Sequence, residues 1–397
     1  MKKKNSLILN CNKNSGAIII EGHVQGLSNT RSLGEKGIPV IVVDKTNCIA
    51  RYSKYCQNFF LCPDFTTPDF IDFLISLCKK QNLSGWALFP SNDHAVLNIS
   101  KNKKLLSKYF KIITEDYSIV SQVYNKGNLL KIAQKLGVPI PQTFYPSDNK
   151  LNRFNLKFPV IIKGLEGLNF YHLFHTKAFV CNDLSELKSI IIDINKRINL
   201  DMVFIQEIIP RNKQNFVCSF TSFSIKGQIE AFWTGEKLRE HPQKFGTATL
   251  SRSIPVNDTL TYSQKLLKEL KYTGVSEIEF ILDPNDNKYK LIEFNARTWL
   301  WVGLAKNCGV DYANIIYSFV NEDRIDFPQN YDTGIYWINP FSDFAYSVLS
   351  ILKGELGMFN YLNSIISKKL TNALFNSGDN RPGIAYLLQI FSYLKNR

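Results

Sequence analysis

The segment LIEFNAR, residues 291 to 297, sets a carboxylate, an amide and a guanidinium at every second position. In an extended strand, side chains alternate, so Glu293, Asn295 and Arg297 project to one face while Ile292, Phe294 and Ala296 take the other. Glu279 lies fourteen positions before Glu293, in SEIEFIL, and a hairpin through the turn DPNDNK brings the two acids side by side. Two carboxylates and an amide oxygen form a hard-oxygen set suited to Mg²⁺, which keeps few protein ligands and completes its octahedron with phosphate oxygens and water. An arginine beside such an ion meets the charge on a transferring phosphoryl group. On these residues alone, a solvated sheet face with Arg297 as the salt-bridge partner of both acids is an equal alternative.

Other segments supply what a triphosphate site needs. Lys163 ends the apolar strand FPVIIK at the mouth of a glycine-containing loop, where an ammonium on a rigid strand end reaches phosphate oxygens. Lys126 opens a helix that leads through LGVPIPQTF to that strand. The segment FIQEIIP offers free backbone groups where Pro210 forces the chain out of its strand. Each feature alone is ordinary structure.

Their order is informative. Lys126, GVPIPQT, PVIIK, IQEIIP, IEF and IEFNAR, spread over residues 118 to 300, resemble the ATP-grasp superfamily of carboxylate-amine ligases. The acid-x-Asn-x-Arg element is the most specific piece. GHVQGLSNTRSLGEKGIPVIVVD in the first third, and WTGEKLREHPQKFGTATL at 233 to 250, resemble predicted carboligases of the same superfamily. The resemblance implies that Lys126 and Lys163 hold the ATP phosphates, with Lys163 and Arg297 acting in catalysis. It implies that Glu207 and Ile209, with Gln206 beside them, present backbone groups to the adenine. Glu279, Glu293 and Asn295 are then the ligands of Mg²⁺, or of Mn²⁺ in its place. Lys237 and Arg239 correspond to basic residues near phosphate or substrate carboxylate. Two departures stand out: GLEGLNFYHLFHTKA, with two glycines and several bulky aromatics, occupies the place of a glycine-rich flap, and Asn215 stands where an acid for the ribose is expected.

The elements that must position these groups are α/β in the first third and α+β beyond it. GAIIIEG, IPVIVVD and WALFP read as strands alternating with helices, including one at 68 to 81. Glycines 22 and 26 with Asp44 could serve a dinucleotide, but the full G-x-G-x-x-G is missing, and close packing with a capping acid is the better reading. A helix is expected at 123 to 136 and another at 184 to 194, with strands at 157 to 164 and 202 to 210. A hairpin at 216 to 235, a helix near 262 to 270 and the final hairpin follow. The expected architecture is an ATP-grasp fold: a Rossmann-like N-terminal domain (1–118), a small lid (119–205), a larger metal-bearing sheet (206–325) and a helical C-terminal extension (326–397).

Composition agrees with a folded chain: 397 residues, 45% hydrophobic and 21% charged. Forty-eight basic against 34 acidic residues give a formal charge of +14, which favours anionic partners: nucleotides, phosphates, nucleic acid or a membrane surface. Neither a nucleic-acid motif nor an apolar run of membrane-spanning length is present. Eight cysteines without a Cys-x-x-Cys pair imply a reduced, cytoplasmic protein. His172 and His175, lacking a third ligand, read as incidental.

The expected reaction is ATP-dependent amide formation between small carboxylate and amine substrates through an acyl phosphate. A nucleotide-binding module that has lost catalysis and, from the N-terminal strands alone, an NAD(P) oxidoreductase are the alternatives. The apolar C-terminal helices allow a homodimer.

Overall fold

The computed structural model describes residues 15–146, 156–210, 215–241, 246–366 and 368–395. The basic start with Cys11, the first half of KQNF (213–216), and residues 242–245 of the 233–250 stretch lie outside the described residues.

Short runs, β-branched in AIII and VIVVD, build the first sheet. Its strands are β1 (Ala17–Ile20), β2 (Val40–Asp44), β3 (Cys56–Leu61), β4 (Ala87–Pro90) and β5 (Lys111–Ile112). They lie in the order β3-β2-β1-β4-β5 with every neighbouring pair parallel. The strands AIII and VIVVD are buried throughout, as parallel strands covered on both faces must be. Strand order reverses direction at β1, so the ends of β1 and β4 open a crevice.

The glycines beside that crevice serve packing. A Cβ on Gly26 would stand 2.1 Å from the Glu21 carbonyl oxygen, and one on Gly22 would stand 2.3 Å from Cys48 Sγ. Asp44 is engaged by the N–H groups of Gly22 at 2.8 Å and Thr46 at 3.1 Å. Asp44 is thus held by main-chain donors as a capping acid.

The second sheet contains β6 (Thr143–Phe144), β7 (Val160–Gly164), β8 (Phe179–Cys181) and β9 (Val203–Glu207), antiparallel in the order β6-β9-β7-β8. It has its own core, in which Val160, Ile162 and Ile205 meet Leu187 and Ile191 of the helix Leu184–Asn195. The single helix expected at 123–136 is two, Tyr117–Tyr124 and Lys126–Lys135. Asn125 leaves helical geometry between them and caps the second, its side chain accepting from the Asn128 N–H at 3.1 Å.

The third sheet runs β10 (Val217–Ile225), β11 (Gln228–His241), β12 (Thr247–Ser253), β13 (Gly274–Asp283), β14 (Lys288–Asn295), β15 (Tyr336–Ile338) and β16 (Leu370–Asn372), in the order β14-β13-β10-β11-β12-β15-β16. Leu266, Leu267 and Leu270 of the helix Asn257–Leu270 pack on Phe220, Ile278, Phe280 and Leu291, so one face of the sheet becomes core. A second core joins the first and third sheets, with Val40 and Val42 in one cluster with Trp233, Trp299 and Trp301. The expected helical extension is only partly helical. Its three-residue strands β15 and β16 lengthen the sheet beside β12, and runs that short carry no alternation to read.

Candidate active site

Pairing of β13 with β14 sets Glu279 opposite Glu293 and Glu277 opposite Asn295, while Ile278 and Phe294 pair on the core side. A bulge follows, because Phe280 pairs with Leu291 and leaves Ile292 extra. Four polar side chains therefore share one patch of sheet. Like charges directly opposite each other repel; here each acid has its own cation. Lys237 Nζ donates to Glu279 at 2.6 Å, and Lys126 Nζ donates to Glu293. Burial works to raise the Glu293 carboxyl, but Lys126, with Lys237 and Arg297 behind it, outweighs burial and holds it down at about 2.

Glu277 is a third acid on this face. Ser219 Oγ donates to it at 2.7 Å and Asn295 Nδ2 at 3.0 Å. Burial, reinforced by the neighbouring Glu279 charge and only partly opposed by Lys237, pushes its carboxyl up to about 8. The period-two signal that selected Glu279 marks Glu277 equally, and the resemblance used only one of them. Asp93 is the other residue missed. It begins the helix Asp93–Lys101 and receives Arg297 through two contacts, Nε at 2.7 Å and Nη2 at 2.8 Å. A separation of 204 residues leaves no sequence signal for that pair.

A cavity of about 490 Å³ gathers these groups. Lys126, Lys163, Lys177, Lys237 and Arg297 line it with Asp93, Glu240, Glu277, Glu279 and Glu293, five basic against five acidic. Asn295 joins them, and Val123, Leu129, Val217, Ile292 and Phe294 add apolar wall. Lys163 Nζ is 3.3 Å from Gln206 Oε1, and the other end of that amide donates to Thr143 Oγ1 at 3.1 Å. The main-chain N–H of Lys126 donates to the Leu165 carbonyl at 2.8 Å, fastening the start of its helix to the loop after β7.

Arg239 does not belong to the site. It points away from the cavity to a two-point ion pair with the fully buried Asp343, Nε at 2.8 Å and Nη2 at 2.6 Å, and bonds Ser364 besides. On a strand, neighbours two apart share a face, but register shifts at Lys237/Arg239 and Arg239/Glu240 separate this residue from Lys237. Gln206, Glu207 and Ile209 are not lining residues either. Ile209 packs with Val217 and Ile292, and these two reach the cavity wall. Asn215 is a buried structural amide, donating to the carbonyls of Pro210 at 2.6 Å and Leu282 at 3.0 Å.

The flap is a helix. Gly167–Phe174 follows β7 directly, and Gly164, Gly167 and Tyr171 face the cavity. The His172 ring lies tilted beside that of His94, with ring centroids 5.6 Å apart. Among the described residues, no group of three or more His, Cys, Asp or Glu side chains is arranged to hold a metal ion. Two carboxylates with one amide oxygen remain a donor set that fits Mg²⁺, whose other ligands come from nucleotide and water.

The family described as the carbamoyl-phosphate synthase L chain, ATP binding domain, matches residues 238–316, a stretch that contains Glu277, Glu279, Glu293, Asn295 and Arg297. A D-aspartate ligase from Enterococcus faecium (strain Aus0004) is 26% identical over 290 residues, covering 69% of this chain and 68% of the relative. A biotin carboxylase–β,γ-ATP complex from Campylobacter jejuni superimposes with a TM-score of 0.64 at 15% identity, over 81% of this chain and 74% of that one. An L-amino acid ligase from Bacillus licheniformis gives a TM-score of 0.59 at 14% identity, over 77% and 74% of the two chains.

Proposed function

We propose that the chain is an ATP-grasp enzyme, an ATP-dependent carboxylate-amine ligase with an amino acid as one substrate. The observation that carries the reading is the convergence of Lys126, Lys163, Lys237 and Arg297 with Glu279, Glu293 and Asn295 on one cavity. The D-aspartate ligase and L-amino acid ligase relatives support an amino acid over other amines.

Lys126 and Lys163 bind the phosphates, and Arg297 faces the γ-phosphoryl group. Glu279, Glu293 and Asn295 would hold Mg²⁺, with Mn²⁺ as an alternative. The ion neutralises triphosphate charge when bound. A substrate carboxylate oxygen attacks the γ-phosphorus, the bond to the β–γ bridging oxygen breaks, and ADP leaves. The resulting acyl phosphate is attacked at its carbonyl carbon by the amine. The C–O bond to phosphate breaks and the nitrogen loses its proton as the amide forms. Alignment and charge neutralisation suffice for these steps, so no nucleophilic side chain is required.

Gln206, Glu207 and Ile209 present the adenine hinge, with Val217 and Ile292 as the wall it leans on. Gly167, at the start of its helix, offers main-chain N–H groups to phosphate in place of a glycine-rich flap. A need for ATP and seven free thiols among the described residues fit a cytoplasmic enzyme.

ADP release measured over panels of amino acids and carboxylates, with mass detection of the condensed product, tests the proposal. A product lighter by one water than the sum of its substrates is expected. ATP binding by calorimetry with no ADP release across both panels would favour the catalytically silent module instead.

A further inference from the structure

We infer that the two helices Pro340–Leu352 and Met358–Ile365 form a docking surface for anionic lipid headgroups and the acyl boundary beneath them. The first helix is inverted relative to an ordinary surface helix. It buries Asp343 and Ser347 against the sheet and exposes Phe344, Leu349 and Leu352, the last 78% accessible. Asp343 is fully buried because Arg239 and Thr249 bind it, which fixes the polar side inward. The second helix repeats the arrangement. Tyr361 turns inward over the Arg239 guanidinium, 5.2 Å from ring centroid to Cζ, and Met358, Phe359 and Ile366 stay outside. Seven of the 20 large apolar side chains exposed among the described residues, from Phe344 to Ile366, belong to these two helices and the residue after the second, a concentration rather than scattered exposure.

Charge selects the occupant. The exposed Lys353 follows the first helix, and the exposed Lys368 and Lys369 follow the second, so ammonium groups follow the C-terminal end of each helix. Of the three acids between residues 340 and 395, Asp343 and Asp379 are buried in ion pairs with Arg239 and Arg31, which leaves Glu355 as the exposed one. A second copy laid on this face would bring like charges together. A duplex or single strand of nucleic acid has no use for Leu352, Phe359 and Ile366. Apolar side chains edged by lysine match an anionic bilayer interface, where short amphipathic helices lie in the headgroup plane.

Flotation of the full chain with phosphatidylcholine vesicles, with and without phosphatidylglycerol, tests the inference. Binding should rise about tenfold when the anionic lipid is included and fall as salt is raised. The double variant Leu352→Ser/Phe359→Ser should lose about tenfold in vesicle binding, with ATP affinity and melting temperature close to those of the parent chain. Equal retention of the parent chain on neutral and anionic vesicles, or none on either, overturns the inference. So does a sedimenting dimer in lipid-free solution that the same double variant dissociates, since the face then belongs to a second copy.

Discussion

Arg297 and Asp93 form a two-point ion pair, at 2.7 and 2.8 Å, that ties the end of the acid-x-Asn-x-Arg strand to the first turn of a helix in the N-terminal sheet domain. Asn92, the residue before Asp93, caps that helix through the Ala95 N–H at 2.8 Å and donates to Glu21 at 3.0 Å, at the end of β1. Arg297, proposed above to face the γ-phosphoryl group, is thus oriented from the crevice of the first sheet.

Asp93→Asn is therefore expected to lower kcat for ADP formation by about tenfold or more, because a charge-assisted pair of this kind contributes about 1.5–3 kcal/mol. ATP affinity, measured by calorimetry, should change by less than about twofold. A variant with unchanged kcat would remove Asp93 from the positioning of Arg297.

Glu293→Gln should reduce ATP turnover by about a hundredfold or more, on the scale of losing one preorganised electrostatic group from an active site. Lys126 loses its partner in that variant, so a modest fall in melting temperature accompanies the change. Unaltered ADP formation with proper substrates present would count against the ligand set.

Much of this site is legible in sequence because a strand imposes a period of two. Glu279, Glu293 and Asn295 emerge together for that reason, and Ile278 and Phe294 fill the opposite face as alternation requires. The resemblance puts Arg239 beside Lys237, but the bulges in β11 turn it toward Asp343. Asp93 is invisible because its partner is brought by the packing of one domain on another. The strands β15 and β16 escape detection because three residues hold too little pattern, and Asn125 divides an apparent helix through a cap that periodicity alone passes over.

Five basic and five acidic groups around the cavity make it nearly neutral, despite the chain's +14. Lys126 and Lys237 are held by Glu293 and Glu279, so phosphate can take the ammonium groups only when something else takes the carboxylates. ATP affinity should accordingly weaken by about tenfold or more when Mg²⁺ is replaced by a chelator. Calorimetric titration with and without the ion measures this; equal affinity in both would contradict the exchange of partners.

Glu21 supplies a pH signature. Burial raises its carboxyl, helped by the nearby Asp44 and Asp93 and opposed by the Asn92 hydrogen bond and Arg297, to about 7 from the ordinary 4.5. The folded chain then holds this proton more tightly than the unfolded one. Its contribution is full below pH 4.5 and is lost as pH rises to about 7, amounting to at most about 3 kcal/mol. Melting temperatures of Glu21→Gln and the parent chain, compared across that interval, should show a fall with rising pH that the variant lacks. Parallel profiles would show that the carboxyl titrates normally.

Arg239→Ala separates a structural cation from a phosphate ligand. Asp343 is fully buried and receives two bonds from Arg239, so removing the guanidinium leaves an uncompensated buried acid, at a cost of about 3–5 kcal/mol. Tyr361 and Ser364 lose their contact at the same time, which loosens the helix Met358–Ile365 from β11. The expected variant melts at a clearly lower temperature yet binds ATP, when assayed below that temperature, with the affinity of the parent chain. Lys237→Ala should instead weaken ATP binding through loss of a cavity ammonium, and because it also leaves the buried Glu279 carboxylate without its cation its melting temperature falls too. A tenfold loss of ATP affinity in folded Arg239→Ala, on the order of 1.4 kcal/mol, would return that residue to the phosphate site.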